Sequence, residues 1–187
     1  KLDAFDVRKA SVRTREKFGD TNFGRGCLAA IQLVEAGVGC VEVTLRGWDT
    51  HINNHEGHTK LNAILDPAFT ALISELRARD MLDRTVVICA GEFGRTPYAQ
   101  ANGTGRDHNP YGFTSFLAGG GVKSGFSYGE TDEFGHHAIH EKIHMHDWHA
   151  TLLHLLGLDH EKLTFNYSGR DFRLTDVHGE VIKEIFA

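Results

Sequence analysis

Two β-branched, apolar runs, VGCVEVTL at residues 38–45 and TVVICA at residues 85–90, bracket the segment LDPAFTALISELRARD. In that segment Asp66 suits an N-cap and Pro67 the first helical position, and Phe69, Leu72, Ile73 and Leu76 share one helical face. This strand, helix, strand order is the strongest constraint on the fold, because a crossover of that length joins parallel strands, and a parallel sheet is covered by helices. A third strand is expected in FTSFLAGGG, residues 113–121. The expected class is α/β with a mainly parallel sheet.

The remaining elements fit around it. RGCLAAIQLVEA, residues 25–36, has apolar positions on a helical period and stops at Gly37. Asp147 is placed to cap a helix over WHATLLHLLG, with Trp148, Leu152, Leu153 and Leu156 as packing residues and Gly157 closing it. Residues 125–141 are turn-rich, and the C-terminal segment alternates short strand-like pieces with turns. With no repeat and no linker, residues 1–187 are expected to form a single domain.

Bulk properties exclude some partners. Twenty basic against 25 acidic residues, net −5, leave no excess of cations for nucleic acid. The apolar runs are strand-sized, far below the ~20 residues of a membrane-crossing helix. Cys27, Cys40 and Cys89 lie in apolar runs without CxxC spacing, so they are expected as small core residues. The outlying number is 13 histidines beside 20 Lys plus Arg, since imidazole is the commonest metal ligand.

Ligand-type residues gather after the expected strands, where ligands bind in open α/β sheets. The first strand empties into GWDTHINNHEGH, carrying Asp49, His51, His55 and His58. The second empties into GEFGRTP, with Glu92 and Arg95, and the same long loop continues to GRDHNP, with Arg106, Asp107 and His108. Mixed oxygen and imidazole donors without cysteine suit an open divalent-metal site. Each short motif alone suits a structural role better than a catalytic one, and Glu92 with Arg95 equally suits a local ion pair; their convergence at one sheet edge favours the metal. The segment GHHAIHEKIHMHDWHATLLH is less ordered in its spacing. His136, His137, His154 and His160 are expected to be hydrogen-bonded or solvated. His144, His146 and His149 are left open between packing and metal binding, and only His140 with His144 has the four-residue spacing of a helical ligand pair.

GWDTH with the following Asn53, GEFGRTP, GRDHNP and the closing stretch from HMHDWHATLLHLLGLDH to HGEVIKEI together resemble the DUF1501 family, bacterial proteins within the alkaline phosphatase and sulfatase superfamily. That resemblance implies a three-layer α/β/α sandwich of which this chain is the C-terminal part, the N-terminal part being missing. It implies metal-dependent hydrolysis of phosphate or sulfate esters, with a small-molecule or glycan ester as substrate and an exported, periplasmic setting. The metal, zinc or calcium, would be held by Asp49, His51 and His108, with Glu92 in the carboxylate place of a second position. Arg95 and Arg106 would bind the anionic substrate, and the nucleophile would precede Lys1. Phe93 stands where the second position has an imidazole, and the short spacing from Asp49 leaves His55 as a competitor of His51. A catalytically silent metal- or glycan-binding domain is the alternative.

Overall fold

The computed structural model describes residues 2–101 and 103–187. They form two compact units, Lys1–Leu82 with Tyr98–His108, and Asp83–Pro97 with Asn109–Ala187.

The first unit is helical. After two short 3-10 turns come α1 (Val12–Lys17), α2 (Asn22–Glu35) and α3 (Asn54–Ala78), and α2 packs on α3. The Thr21 side chain accepts a hydrogen bond from the Gly24 N–H at 3.0 Å, which satisfies one of the orphan donors at the α2 N-terminus. Gly24 itself is obligatory, because a Cβ there would lie 2.0 Å from the Phe18 carbonyl oxygen. The apolar period of α2 buries Cys27, Leu28, Ile31 and Leu33, while Ala68, Ala71 and Leu76 are the buried positions of α3. Alanines at 68 and 71 let the backbones approach closely. Each fully buried Leu or Ile of this core contributes roughly 1.5–3 kcal/mol. Gly37 ends α2 at φ 82°, and the Val38 N–H bonds back to the Leu33 carbonyl at 3.0 Å, a Schellman closure.

α3 differs from its expected form. It begins at Asn54, not at Asp66, after Asn53 in the left-handed region at φ 50°, and Pro67 lies inside it. An interior proline costs about 3 kcal/mol through its missing N–H and its clash with the preceding turn. Here both Pro67 and Ala63, whose carbonyl loses that donor, are exposed, so water can serve the freed oxygen.

The expected strand at residues 38–45 is absent. Its exposure alternates residue by residue from Val41 to Arg46, as an extended chain does. Yet residues 39–47 make no backbone–backbone hydrogen bond among the described residues. The segment is instead held by side chains, Val43 resting on Gly26 of α2 and Leu61 of α3 meeting Gly47.

The second unit holds most of the strands. β1 (Val87–Cys89) pairs with β4 (Phe116–Ala118), aligning Val87 with Ala118 and Cys89 with Phe116. Two-residue strands β2 (Gly94–Arg95) and β3 (His108–Asn109) fall between them in sequence, the boundary between the units cutting β3. β5 (Glu130–Thr131) pairs with β6 (Ala138–His140), and β7 (Thr164–Tyr167) with β8 (Arg170–Arg173). The last pair is a tight hairpin whose turn residues, Ser168 and Gly169, both have positive φ, 51° and 80°, which matches the twist of its strands.

These pairings overturn the α/β/α sandwich with a mainly parallel sheet. Every pairing with a described register is antiparallel, and each sheet has two strands. The physical reason lies between β1 and β4. A parallel return needs a crossover element, usually a helix, and the described residues from 90 to 115 contain none.

α4 (Met145–Leu155) follows β6. Its N-cap is His144, whose Nδ1 accepts from the His146 N–H, while Asp147 Oδ2 accepts from the His144 N–H at 2.9 Å. Asp147 is therefore the third-position partner of a capping box, not the cap. The buried residues of α4 are Ala150 and Thr151. Leu156 lies past the helix end and is exposed, so it is not one of the packing residues expected there. Thr151 Oγ1 donates to the Asp147 carbonyl and accepts from the Ile182 N–H, satisfying a hydroxyl that burial would otherwise penalise.

Candidate metal centre

The site lies within the first unit and is assembled from two segments. The first, residues 48–54, leads into α3. Trp48 stands edge-on to His58 at 5.2 Å between ring centroids. Asn54 Nδ2 donates to Thr50 Oγ1 at 2.7 Å, and His58 Nε2 lies 3.1 Å from the same hydroxyl. Thr50, Asn54 and His58 thus pin the loop to the first turns of the helix. His58, expected among the ligand-type residues, is engaged in this local network.

The second segment, Tyr98–His108, is laid against the first. Asn54 N–H donates to the Thr104 carbonyl at 2.9 Å, and Arg106 N–H to the Thr50 carbonyl at 3.3 Å. Gly105 is buried, and a Cβ there would overlap the His51 carbonyl oxygen. Only glycine allows this approach. Within the segment, Gln100 N–H bonds to the Gly105 carbonyl and Gly103 N–H to the Gln100 carbonyl, closing a turn. Asp107 Oδ1 accepts from the His108 N–H at 2.8 Å.

These contacts bring three side chains to one point. Asp49 Oδ1 lies 3.0 Å from His51 Nε2 and 2.9 Å from His108 Nε2, and the two imidazole nitrogens are 3.2 Å apart. Two nitrogens and a carboxylate oxygen so placed form a group able to hold a metal ion. Ligands of a tetrahedral cation bound at about 2.0–2.1 Å are roughly 3.3 Å apart, so the donors are spaced for one with little movement. His51 is half-buried, and Asp49 and His108 are exposed, which leaves one side of the group open. An open groove of about 760 Å³ adjoins it, with His51, Ile52, Tyr98, Gln100 and Asp107 in its walls.

The expected residues divide as follows. Asp49, His51 and His108 meet, and it is His51, not its competitor His55, that joins the group. His55 and Arg106 line a neighbouring groove of about 410 Å³ beside the start of α3. Glu92 and Arg95 belong to the second unit, where Glu92 is exposed and the Arg95 guanidinium lies over the Phe93 ring at 5.9 Å.

The other histidines have different work. His160 is buried and bonded to Thr175 Oγ1 at 2.9 Å. His154 stacks on Phe186, and His137 on Tyr111. His140 ends β6 while His144 caps α4, so the two do not form a helical ligand pair. His146 lies between the rings of His144 and His178, and His149 Nδ1 bonds to the Met145 carbonyl at 2.7 Å. Of the cysteines, Cys27 is buried and its thiol is pushed up to about 11 by burial, whereas Cys40, expected in the core, is exposed.

Gln100 was not anticipated. Its amide meets His51 Nδ1, with Nε2 at 3.1 Å and Oε1 at 3.3 Å. Nothing in its local sequence, PYAQANG, marks it as a ligand's partner; only the docking of the two segments does.

No curated protein and no solved structure matches the chain. Residues 2–186 match the family described as "Protein of unknown function (DUF1501)", so the chain belongs to the DUF1501 family.

Proposed function

We propose that Asp49, His51 and His108 hold a divalent cation, and that the chain carries the metal-ligating part of a hydrolase of phosphate or sulfate esters acting outside the cytoplasm. The observation that carries this reading is the convergence of the three donor atoms at 2.9–3.2 Å. Two imidazoles and one carboxylate favour zinc over calcium, which takes six to eight oxygen ligands. Three protein ligands with an open side is the arrangement of a catalytic rather than a structural zinc. The ion would supply Lewis acidity to an ester oxygen. Arg106, beside the adjoining groove, is the first-unit residue suited to the anionic group, because its planar fork engages two oxygens at once. The resemblance of GWDTH and GRDHNP to the alkaline phosphatase and sulfatase superfamily supports the ester chemistry through these residues, not through its fold.

One observation favours the silent alternative, a metal- or glycan-binding domain: Phe93 stands where the second metal position would have an imidazole. The test is calorimetric titration of zinc into the chain, beside assays of the full-length protein with p-nitrophenyl phosphate and p-nitrophenyl sulfate. Zinc binding by the chain with turnover by the full-length protein selects the hydrolase. Binding without turnover in the full-length protein selects the silent domain, and no binding removes both.

A further inference from the structure

We propose that Gln100 is the positioning residue of the metal centre, its side-chain amide serving His51 Nδ1 as donor when the cation is absent and as acceptor when His51 Nε2 is a ligand. The inference rests on the metal reading above and deepens it.

Both amide atoms of Gln100 lie within hydrogen-bond reach of the same ring nitrogen, 3.1 Å from Nε2 and 3.3 Å from Oε1. A neutral imidazole carries one proton, and the bond made by one nitrogen sets what the other can do. With the proton on His51 Nε2, that nitrogen donates to Asp49 Oδ1, 3.0 Å away, and Nδ1 accepts from the Gln100 amide N–H. With a cation in place, Nε2 would present its lone pair, so the ring would carry its proton on Nδ1 and donate a hydrogen bond from there to Gln100 Oε1. A carboxamide does both after a turn of its terminal torsion, whereas a backbone carbonyl or a carboxylate could only accept. Backbone bonds hold the residue for this task, its N–H to the Gly105 carbonyl and its own carbonyl to the Gly103 N–H, at 2.9 and 2.8 Å. Outer-shell partners of ligating histidines orient the ring and raise its basicity in this way.

The proposal separates two substitutions. Gln100→Met keeps the shape of the side chain and removes both bonding functions, so zinc affinity should fall about 10–100-fold. Gln100→Glu keeps only the acceptor and holds the proton on Nδ1, so affinity should equal or exceed that of the unaltered chain. A purely structural role would weaken binding in both. A second readout needs no metal: nitrogen-15 NMR of the His51 ring in the metal-free protein should show the Nε2–H tautomer in the unaltered chain and the Nδ1–H tautomer in Gln100→Glu. Equal zinc affinity in Gln100→Met and the unaltered chain, or one tautomer in both metal-free proteins, overturns the proposal. Absence of zinc binding in the unaltered chain would instead overturn the metal reading, leaving the tautomer comparison to decide the role of Gln100.

Discussion

Asp49 Oδ1 sits between two imidazole nitrogens at 3.0 and 2.9 Å, so each of the three residues depends on the other two. Replacing His108 by Ala removes a ligand rather than a ligand's partner, and zinc affinity should fall by more than about a hundredfold, beyond the outer-shell range. Calorimetry of His108→Ala against the unaltered chain checks this, and equal affinities would remove His108 from the site. A second prediction concerns thiols. Exposed Cys40 should react with a disulfide reagent at once, and Cys27, buried with its thiol held up to about 11, only on unfolding. Timed labelling followed by peptide mass spectrometry separates them. A third concerns Asp132, whose carboxylate accepts from the N–H groups of His136, His137 and Phe134. The His136 bond leads the causes that hold its pKa below the ordinary 3.8. The folded value lies under the unfolded one, so the stabilisation is present above about pH 4 and disappears as pH falls through the folded value. In an NMR titration the His136 and His137 amide signals should move with Asp132 below 3.8; a midpoint at or above that value would contradict the assignment. Asp49, His51 and His108 were legible as candidates because ligand-type residues gathered in the loops after the expected strands. Gln100 was not legible, since its role exists only where two segments 49 residues apart in sequence meet.

The three long helices show how much an element's own sequence decides. α2 was legible over most of its length, because its apolar period and Gly37 stop are local, while its start at Asn22 and its Thr21 cap were not read. α3 was legible in its second half only, since Asp66–Pro67 imitates a helix start and nothing nearby reveals that the preceding turns are helical as well. α4 was legible in place but not in its cap. Truncating Leu28, buried on the α2 face that packs on α3, should cost about 2–5 kcal/mol. Denaturant unfolding of Leu28→Ala is the measurement, and a loss under 1 kcal/mol, roughly the scale of a surface change, would contradict this packing. Residues 38–45 make the opposite point. Their composition and alternation are those of a strand, but a strand is completed by a neighbour's backbone, and none reaches them among the described residues. The amides of residues 39–45 should therefore exchange with solvent within the fastest class, while those of residues 27–33 in α2 are protected. Slow exchange at Val41 and Val43 would show that the segment is paired.

On the scale of the whole chain, the first unit combines the apolar helical core with the candidate metal site, while the buried set of the second includes Thr96, Asn109, Thr151, His160 and Thr175 beside Val87, Ala150, Ile182 and Ile185. Zinc held by Asp49, His51 and His108 should stabilise the first unit by linkage, about 2.7 kcal/mol at a free concentration a hundred times Kd. Zinc should accordingly raise the exchange protection of residues 48–54 and of Gln100. Unchanged protection at saturating zinc would mean that the ion binds elsewhere. The sequence by itself determined most of α2, the second half of α3, the place of α4 and the chemical character of the loops, because each depends on groups within a few residues of one another. Only the tertiary structure decided that β1 and β4 run antiparallel, that His51 rather than His55 joins Asp49 and His108, and that Gln100 stands behind His51. Strand direction and ligand choice are set by contacts between distant segments, and local pattern carries the capacity for such contacts without naming the partner.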